Sequence, residues 1–174
     1  LHATFDTRDA MGANFINTML EQIAKTFEEK STEFHVFSMG RPEVIMSILS
    51  NYVPDCLVQV SVSCPVSEIG TVNGVTGPEF ARKFVQAVEI ATLEPLRAVT
   101  HNKGIMNGID AVVLATGNDF RAVEAGVHAY AARDGQYRSL TRARVEDEVF
   151  TFEADFPLAL GTVGGLTSLH PLAK

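Results

Sequence analysis

The sequence predicts a mixed α/β protein, and three patterns carry that prediction. An apolar stripe of helical period runs from Ile16 to Phe27, a period-two alternation runs from Leu57 to Val62, and a second helical stripe runs from Phe80 to Ala91. Helices and strands thus follow one another along a single chain, which places helices against a sheet.

The elements follow in order. Ile16, Met19, Leu20, Ile23 and Phe27 share one face of a 3.6-residue repeat, so a helix is expected from Met11 onward, with Asp9 as its N-cap and the Glu28-Glu29-Lys30-Ser31 run closing it. Pro42 to Leu49 predicts a short second helix with proline in the first turn, ended by Asn51 and Pro54. Leu57, Val58, Val60 and Val62, interleaved with Gln59, Ser61 and Ser63, predict a strand that is polar on one face. Gly70 to Gly77 is turn material. Phe80, Ala81, Phe84, Val85, Val88 and Ala91 mark a strong helix that Pro95 limits. Ile109 to Ala115, rich in β-branched residues and bounded by Gly108 and Gly117, predicts a buried strand. Asp119 to Ala132 predicts a helix. The charge run Arg142 to Glu148, followed by Val149, Phe150 and Phe152, predicts a hairpin in which that run is a solvated turn or edge.

Composition excludes several classes. Lys and Arg number 14 against 21 Asp and Glu, a net charge of −7, which is the wrong sign for a protein that neutralises a phosphate backbone. The apolar runs fall far short of the roughly 18–20 residues a membrane helix needs, so neither nucleic acid nor membrane is expected as a partner. Cys56 and Cys64 have neither zinc nor disulfide-framework spacing and are expected as free, buried thiols in a reducing cytoplasm. The five histidines show no metal-ligand spacing. The chain opens on Leu-His-Ala-Thr-Phe-Asp, which reads like the middle of a strand, so a fragment of a longer protein is expected.

Chemistry concentrates in a few segments. Thr100 to Asp110 gathers small and amide residues around Lys103, and it reads as a loop just before the buried strand. Lys103 is either a surface lysine or a functional one, an oxyanion stabiliser or a Schiff-base former of the aldolase type. Asp119 stands where a strand end turns into a helix N-terminus; it suits an N-cap, or a partner for Lys103 if the earlier loop folds back over the strand. Asp6 to Asn14 joins an extended segment to a helix N-terminus, with Gly12 allowing close backbone approach. Neither G-x-G-x-x-G nor a P-loop is present. Gly161-Thr-Val-Gly-Gly165 reads as a tight turn or a close packing contact.

These segments together resemble the 3-hydroxy-3-methylglutaryl-coenzyme A (HMG-CoA) reductases, most closely the soluble bacterial class II form. The resemblance is carried by Asp6-Thr-Arg-Asp-Ala-Met-Gly-Ala-Asn14, Ile48-Leu-Ser-Asn51, Leu96 to Asp110, Ala115-Thr-Gly-Asn-Asp-Phe-Arg-Ala-Val-Glu-Ala-Gly126, and Gly161 to Gly165 with His170-Pro-Leu-Ala-Lys174, in family order. It implies a large α/β substrate domain interrupted by a small, non-Rossmann nicotinamide-binding domain. Residues 1–52 would then belong to the second part of the small domain and residues 53–174 to the large one. It also implies NADH or NADPH as cofactor, HMG-CoA or mevalonate plus coenzyme A as substrates, and a dimer or trimer of dimers with the active site at the subunit interface.

By the same resemblance Lys103 stabilises the carbonyl oxyanion, Asp119 orients it, Asn107 belongs to their polar network, and Arg97 grips the free carboxylate of the substrate. Asp9, Met11, Gly12, Asn14 and Asn51 match the segments that lie against the dinucleotide. No metal is implied. The family's catalytic glutamate would precede Leu1 and its catalytic histidine would follow Lys174; His170 is not that histidine. The 174-residue chain alone is therefore expected to be inactive, and the segment from Glu28 to Glu43 is longer and more polar than the family leads one to expect. The competing reading is an acyl-coenzyme A or nucleotide-binding module without catalysis.

Overall fold

The computed structural model describes residues 1–33, 37, 40–71, 73–165, 169 and 171. His35 and His170, with most of the motif that follows His170, lie outside the described residues. Two compact units make up the chain: residues 1–50 with 160–174, and residues 51–159.

The first unit is built on α1 (Ala13–Ser31), whose N-cap is Gly12 with φ of 84° and ψ of 1°. Asp9 does not cap it. A turn closed by Ala10 N–H donating to Thr7 O at 3.1 Å carries the chain past Asp9 first, and the left-handed step at Gly12 then starts the helix. The expected helix from Pro42 to Leu49 does not form; residues 41–50 have no regular structure. An eight-residue helix is too short to hold itself together in water, and side chains of α1 offer its backbone other partners. Glu28 Oε1 accepts from Val44 N at 2.9 Å, and Asn17 Oδ1 accepts from Leu49 N at 3.0 Å.

The second unit combines three helices with one antiparallel sheet, two of the helices packing on its strands and the third on those two helices. Its elements are β1 (Leu57–Pro65), a 3-10 turn at Val66–Glu68, α2 (Gly77–Leu93), α3 (Pro95–Ala115), α4 (Phe120–Ala131), β2 (Thr141–Glu146) and β3 (Val149–Pro157). The sheet order is β1-β3-β2, with Val60 opposite Ala154 and Ala143 opposite Phe152. The predicted C-terminal hairpin is β2–β3. Its two-residue turn, Asp147 and Glu148, has φ of 49° and 60°, the doubly left-handed geometry that matches strand twist.

The charge run lies on the edge strand β2, as expected, where it forms a cross-strand ladder. Arg142 reaches Asp155 at 2.8 Å, and Arg144 grips Glu153 with both terminal nitrogens. Hydrogen bonding to Arg144 holds Glu153 below the usual carboxylate range. β1, the other edge, is exposed on both faces, and Cys56 and Cys64 are exposed and half-buried free thiols rather than buried ones.

α2 lies against β2 and α3. Phe84 of α2 meets Phe150 and Phe152 edge-on at 5.4 and 5.3 Å, an arrangement favoured by ring quadrupoles. The core of this unit comprises Ala81, Val88 and Ala91 of α2, Ala98, Met106 and Val113 of α3, Val123, Val127 and Ala131 of α4, and Leu140, Ala154 and Phe156. Each large side chain among these stabilises the fold by about 1.5–3 kcal/mol through removal from water.

The main departure from expectation is α3. The predicted loop Thr100–Asp110 and the predicted strand Ile109–Ala115 are one continuous 21-residue helix. Its start is well specified: Pro95 occupies the first turn, and the Glu94 side chain accepts from Leu96 N at 3.1 Å. Gly104 and Gly108 inside it cost about 1 kcal/mol each relative to alanine, and Val112 and Val113 are middling helix formers. Burial outweighs them. Ala98, Asn102, Met106, Ile109 and Val113 fall at i, i+4, i+8, i+11 and i+15, one stripe of helical period that faces the core.

Candidate active site

Asn102 fixes the position of α3. It is fully buried, donates through Nδ2 to Arg138 O at 2.8 Å, and accepts at Oδ1 from Leu140 N at 3.0 Å. One amide thus satisfies two backbone groups of the segment before β2. His101 adds a second tie, with Nε2 at 2.7 Å from Thr141 Oγ1. Burial, reinforced by Arg97, pushes the imidazole below its ordinary range. Sequence reasoning missed both roles; the spacing of Asn102 with Ala98 and Met106 was the available signal.

With the buried stripe fixed, the opposite face of α3 points outward. At 100° per residue, Thr100, Lys103 and Asn107 fall within about 60° of one another, and Arg97 about 60° further round. All four are exposed. From Arg97 to Asn107 the row is about 15 Å long at 1.5 Å per residue, with the glycines at 104 and 108 beside it. Among the described residues Lys103 has no ion pair. Arg97 and Lys103 are about 9 Å apart along the axis and about 120° apart around it, so the guanidinium and the ammonium flank the exposed face of α3 from its two sides.

Asp119 is the N-cap of α4. It accepts from Arg121 N at 3.0 Å and Ala122 N at 3.3 Å, and its carboxylate lies 3.6 Å from Arg121 Nε. The expected route by which Lys103 could meet it, a loop folding back over a strand end, does not exist. Lys103 sits within a helix, about 18 Å along the axis from Ala115, and Asp119 follows four residues later. Among the described residues the two form no ion pair.

The remaining predicted residues lie elsewhere. Asn51 is exposed and opens the second unit; its carbonyl oxygen packs so tightly on Gly126 that a Cβ there would come within 2.6 Å. Asp9, Met11, Gly12 and Asn14 surround the start of α1 in the first unit. Asp9 O accepts from Thr162 N at 2.8 Å and Val163 N at 3.3 Å, so the glycine-rich segment docks on this turn. A Cβ at Gly161 would meet Met11 N at 2.9 Å, and one at Gly12 would meet Thr7 Cγ2 at 2.3 Å. The helix start has no side-chain cap and no acidic residue in its first turn, and Asp9 lies just ahead of it in the chain.

Among the described residues no three histidine, cysteine or acidic side chains converge as a metal site, and no helix is long and apolar enough to cross a membrane.

Comparison with known proteins follows the same line. The family model for hydroxymethylglutaryl-coenzyme A reductase matches residues 1–174. The chain is 41% identical over 177 residues to 3-hydroxy-3-methylglutaryl-coenzyme A reductase of Archaeoglobus fulgidus, covering 100% of this chain and 36% of that protein. It is 36% identical over 174 residues to the probable reductase of Borreliella burgdorferi, covering 98% of this chain and 37% of the relative. Among solved structures, a reductase of Streptococcus pneumoniae superimposes with a TM-score of 0.81 at 42% identity, over 97% of this chain and 43% of that one. A class II reductase from the same organism, bound to NADPH in open conformations, gives 0.81 at 42% identity with the same coverage. The chain therefore spans less than half the length of these relatives. The match over its whole length shows that it belongs to the hydroxymethylglutaryl-coenzyme A reductase family.

Proposed function

We propose that this chain supplies part of the active site of a reductase that interconverts HMG-CoA with mevalonate and coenzyme A, using NADH or NADPH. The observation that carries this reading is the solvent-facing row Arg97, Lys103 and Asn107 on α3, within a chain that matches the family over its whole length. We assign residues 1–52 to the small cofactor-binding domain and residues 53–174 to the substrate domain, in a protein that works as a homodimer or higher oligomer.

Reduction of a thioester to an alcohol takes two hydrides, one from each of two reduced nicotinamides that would bind in turn. Each addition builds negative charge on a carbonyl oxygen. Lys103 Nζ, which has no ion pair among the described residues, sets a positive charge and a proton donor against that oxygen. Asn107 lies one turn further along the same face, where its amide hydrogen-bonds the reacting group or the lysine. Asp119 is assigned to orienting the lysine, a role that depends on the assembled enzyme because the chain itself keeps the two apart. Arg97 receives the substrate's free carboxylate, whose two oxygens match the guanidinium fork.

The start of α1 fits a dinucleotide. Its uncapped N–H groups suit a pyrophosphate, and the Asp9 carboxylate and Asn14 amide beside it suit sugar hydroxyls and amide groups. Met11 and Gly12 shape the turn. Asn51 is assigned a further contact with the cofactor.

The Arg97 assignment is tested by Arg97→Ala in the full-length enzyme. A charge-assisted hydrogen bond contributes about 1.5–3 kcal/mol, so KM for HMG-CoA should rise on the order of 10- to 150-fold while KM for the nicotinamide stays within about twofold. An unchanged KM for HMG-CoA would remove Arg97 from the site.

A further inference from the structure

Gly104, Gly108 and Gly126 stand in helix interiors, where glycine is a weaker helix former than alanine. Gly104 and Gly108 of α3 face open space, with no atom within 4 Å of where a Cβ would stand. Gly126 of α4 differs. It is buried, and a Cβ there would lie 2.6 Å from the carbonyl oxygen and 3.7 Å from the carbonyl carbon of Asn51. Only a residue without a side chain lets two stretches of backbone come this close.

The two partners are not equally free to yield. Gly126 belongs to the buried stripe of α4, with Val123, Val127 and Ala131, and Asp119 caps the start of that helix. Asn51 belongs to an irregular stretch ahead of β1, in which the next fixed point is a turn where Cys56 N donates to Val53 O at 3.0 Å. A packed helix shifts less readily than an irregular surface segment, so a side chain at position 126 displaces Asn51 and leaves α4 in place. The Asn51 side chain is exposed. Seating its carbonyl oxygen on α4 therefore fixes where the side-chain amide stands without occupying it.

We propose that Gly126 is a positioning residue for the nicotinamide cofactor: by seating the Asn51 backbone on α4 it holds the Asn51 amide against the dinucleotide. This rests on the assignment of Asn51 as a cofactor contact. A side-chain amide offers a donor and an acceptor at a fixed separation, and a backbone held in advance lets both engage the ligand with less ordering at the moment of binding. Gly126 acts through Asn51 and not on the cofactor itself.

The test uses the full-length protein, with dissociation constants for the reduced nicotinamide and for HMG-CoA measured by calorimetric titration. Asn51→Ala should weaken nicotinamide binding about 3- to 10-fold. Gly126→Ala should weaken it to a similar extent and leave HMG-CoA binding within about twofold. The double variant should bind nicotinamide no more than about twofold more weakly than the weaker single variant, because both changes remove the same contact. Unchanged nicotinamide affinity in Gly126→Ala, equal losses for both ligands, or single effects that multiply in the double variant would overturn the role of Gly126 and leave the Asn51 contact standing. Unchanged affinity in Asn51→Ala would instead remove Asn51 from the cofactor site, and the role of Gly126 with it. If Gly126→Ala fails to fold, amide exchange in the wild type decides: saturating nicotinamide should slow exchange at Asn51 and Tyr52 and, across the contact, at Gly126 and Val127. Slowing at Asn51 and Tyr52 alone would overturn the proposal.

Discussion

Lys103→Ala in the full-length reductase is expected to lower kcat by about 100- to 1,000-fold, the range found when one preorganised donor to a developing oxyanion is removed. KM for HMG-CoA should change by less than about threefold. The reason is differential: the carbonyl oxygen carries little charge in the ground state and nearly a full one after hydride addition, so the ammonium contributes mainly to the transition state. The fold gives this substitution a clean reading, because Lys103 is exposed on α3 and has no ion pair among the described residues, so its removal disturbs no packing. A loss confined to KM would show that Lys103 only binds substrate. Borohydride trapping of a covalent adduct at Lys103 would instead establish Schiff-base chemistry.

Asn102→Leu should produce the largest loss of stability on the same helix. The leucine fills a similar volume but leaves Arg138 O without its donor and Leu140 N without its acceptor. Each buried group left unpaired costs about 1–3 kcal/mol, so a total of about 2–6 kcal/mol is expected. For a protein of this size that corresponds to a fall in Tm on the order of 10 °C, readable by calorimetry. Asn107→Ala, five residues on and exposed, should stay within about 0.5 kcal/mol of wild type. Equal losses in the two variants would contradict the buried role of Asn102.

The contrast between these asparagines shows where sequence reasoning succeeds and where it stops. α1, α2, α4, β1 and the β2–β3 hairpin were legible because each has one dominant period and is bounded by proline, glycine or a capping residue. α3 was not. Gly104, Gly108 and the β-branched residues from Ile109 to Val113 carry the local signals of a loop and a strand, whereas the helical stripe that decides the matter includes a polar residue, Asn102. Its membership in the core became clear only with the backbone groups it satisfies. The segment from Pro42 to Leu49 failed in the opposite direction: its pattern is helical, yet Glu28 and Asn17 of α1 take up two of its backbone N–H groups.

The site shows the same division. Lys103 and Asp119 were legible as residue types within specific motifs, and Arg97 and Asn107 with them, but not as positions. The α3 helix turns an expected loop into a rigid row and keeps Lys103 away from Asp119 within the chain.

The central claim is tested most directly by following nicotinamide absorbance in the full-length protein with HMG-CoA and NADH or NADPH, and in reverse with mevalonate, coenzyme A and the oxidised cofactor. The account predicts turnover in both directions, with two nicotinamides oxidised for each HMG-CoA consumed. A folded protein that binds HMG-CoA yet turns over in neither direction with either cofactor would contradict it and leave a binding module without catalysis.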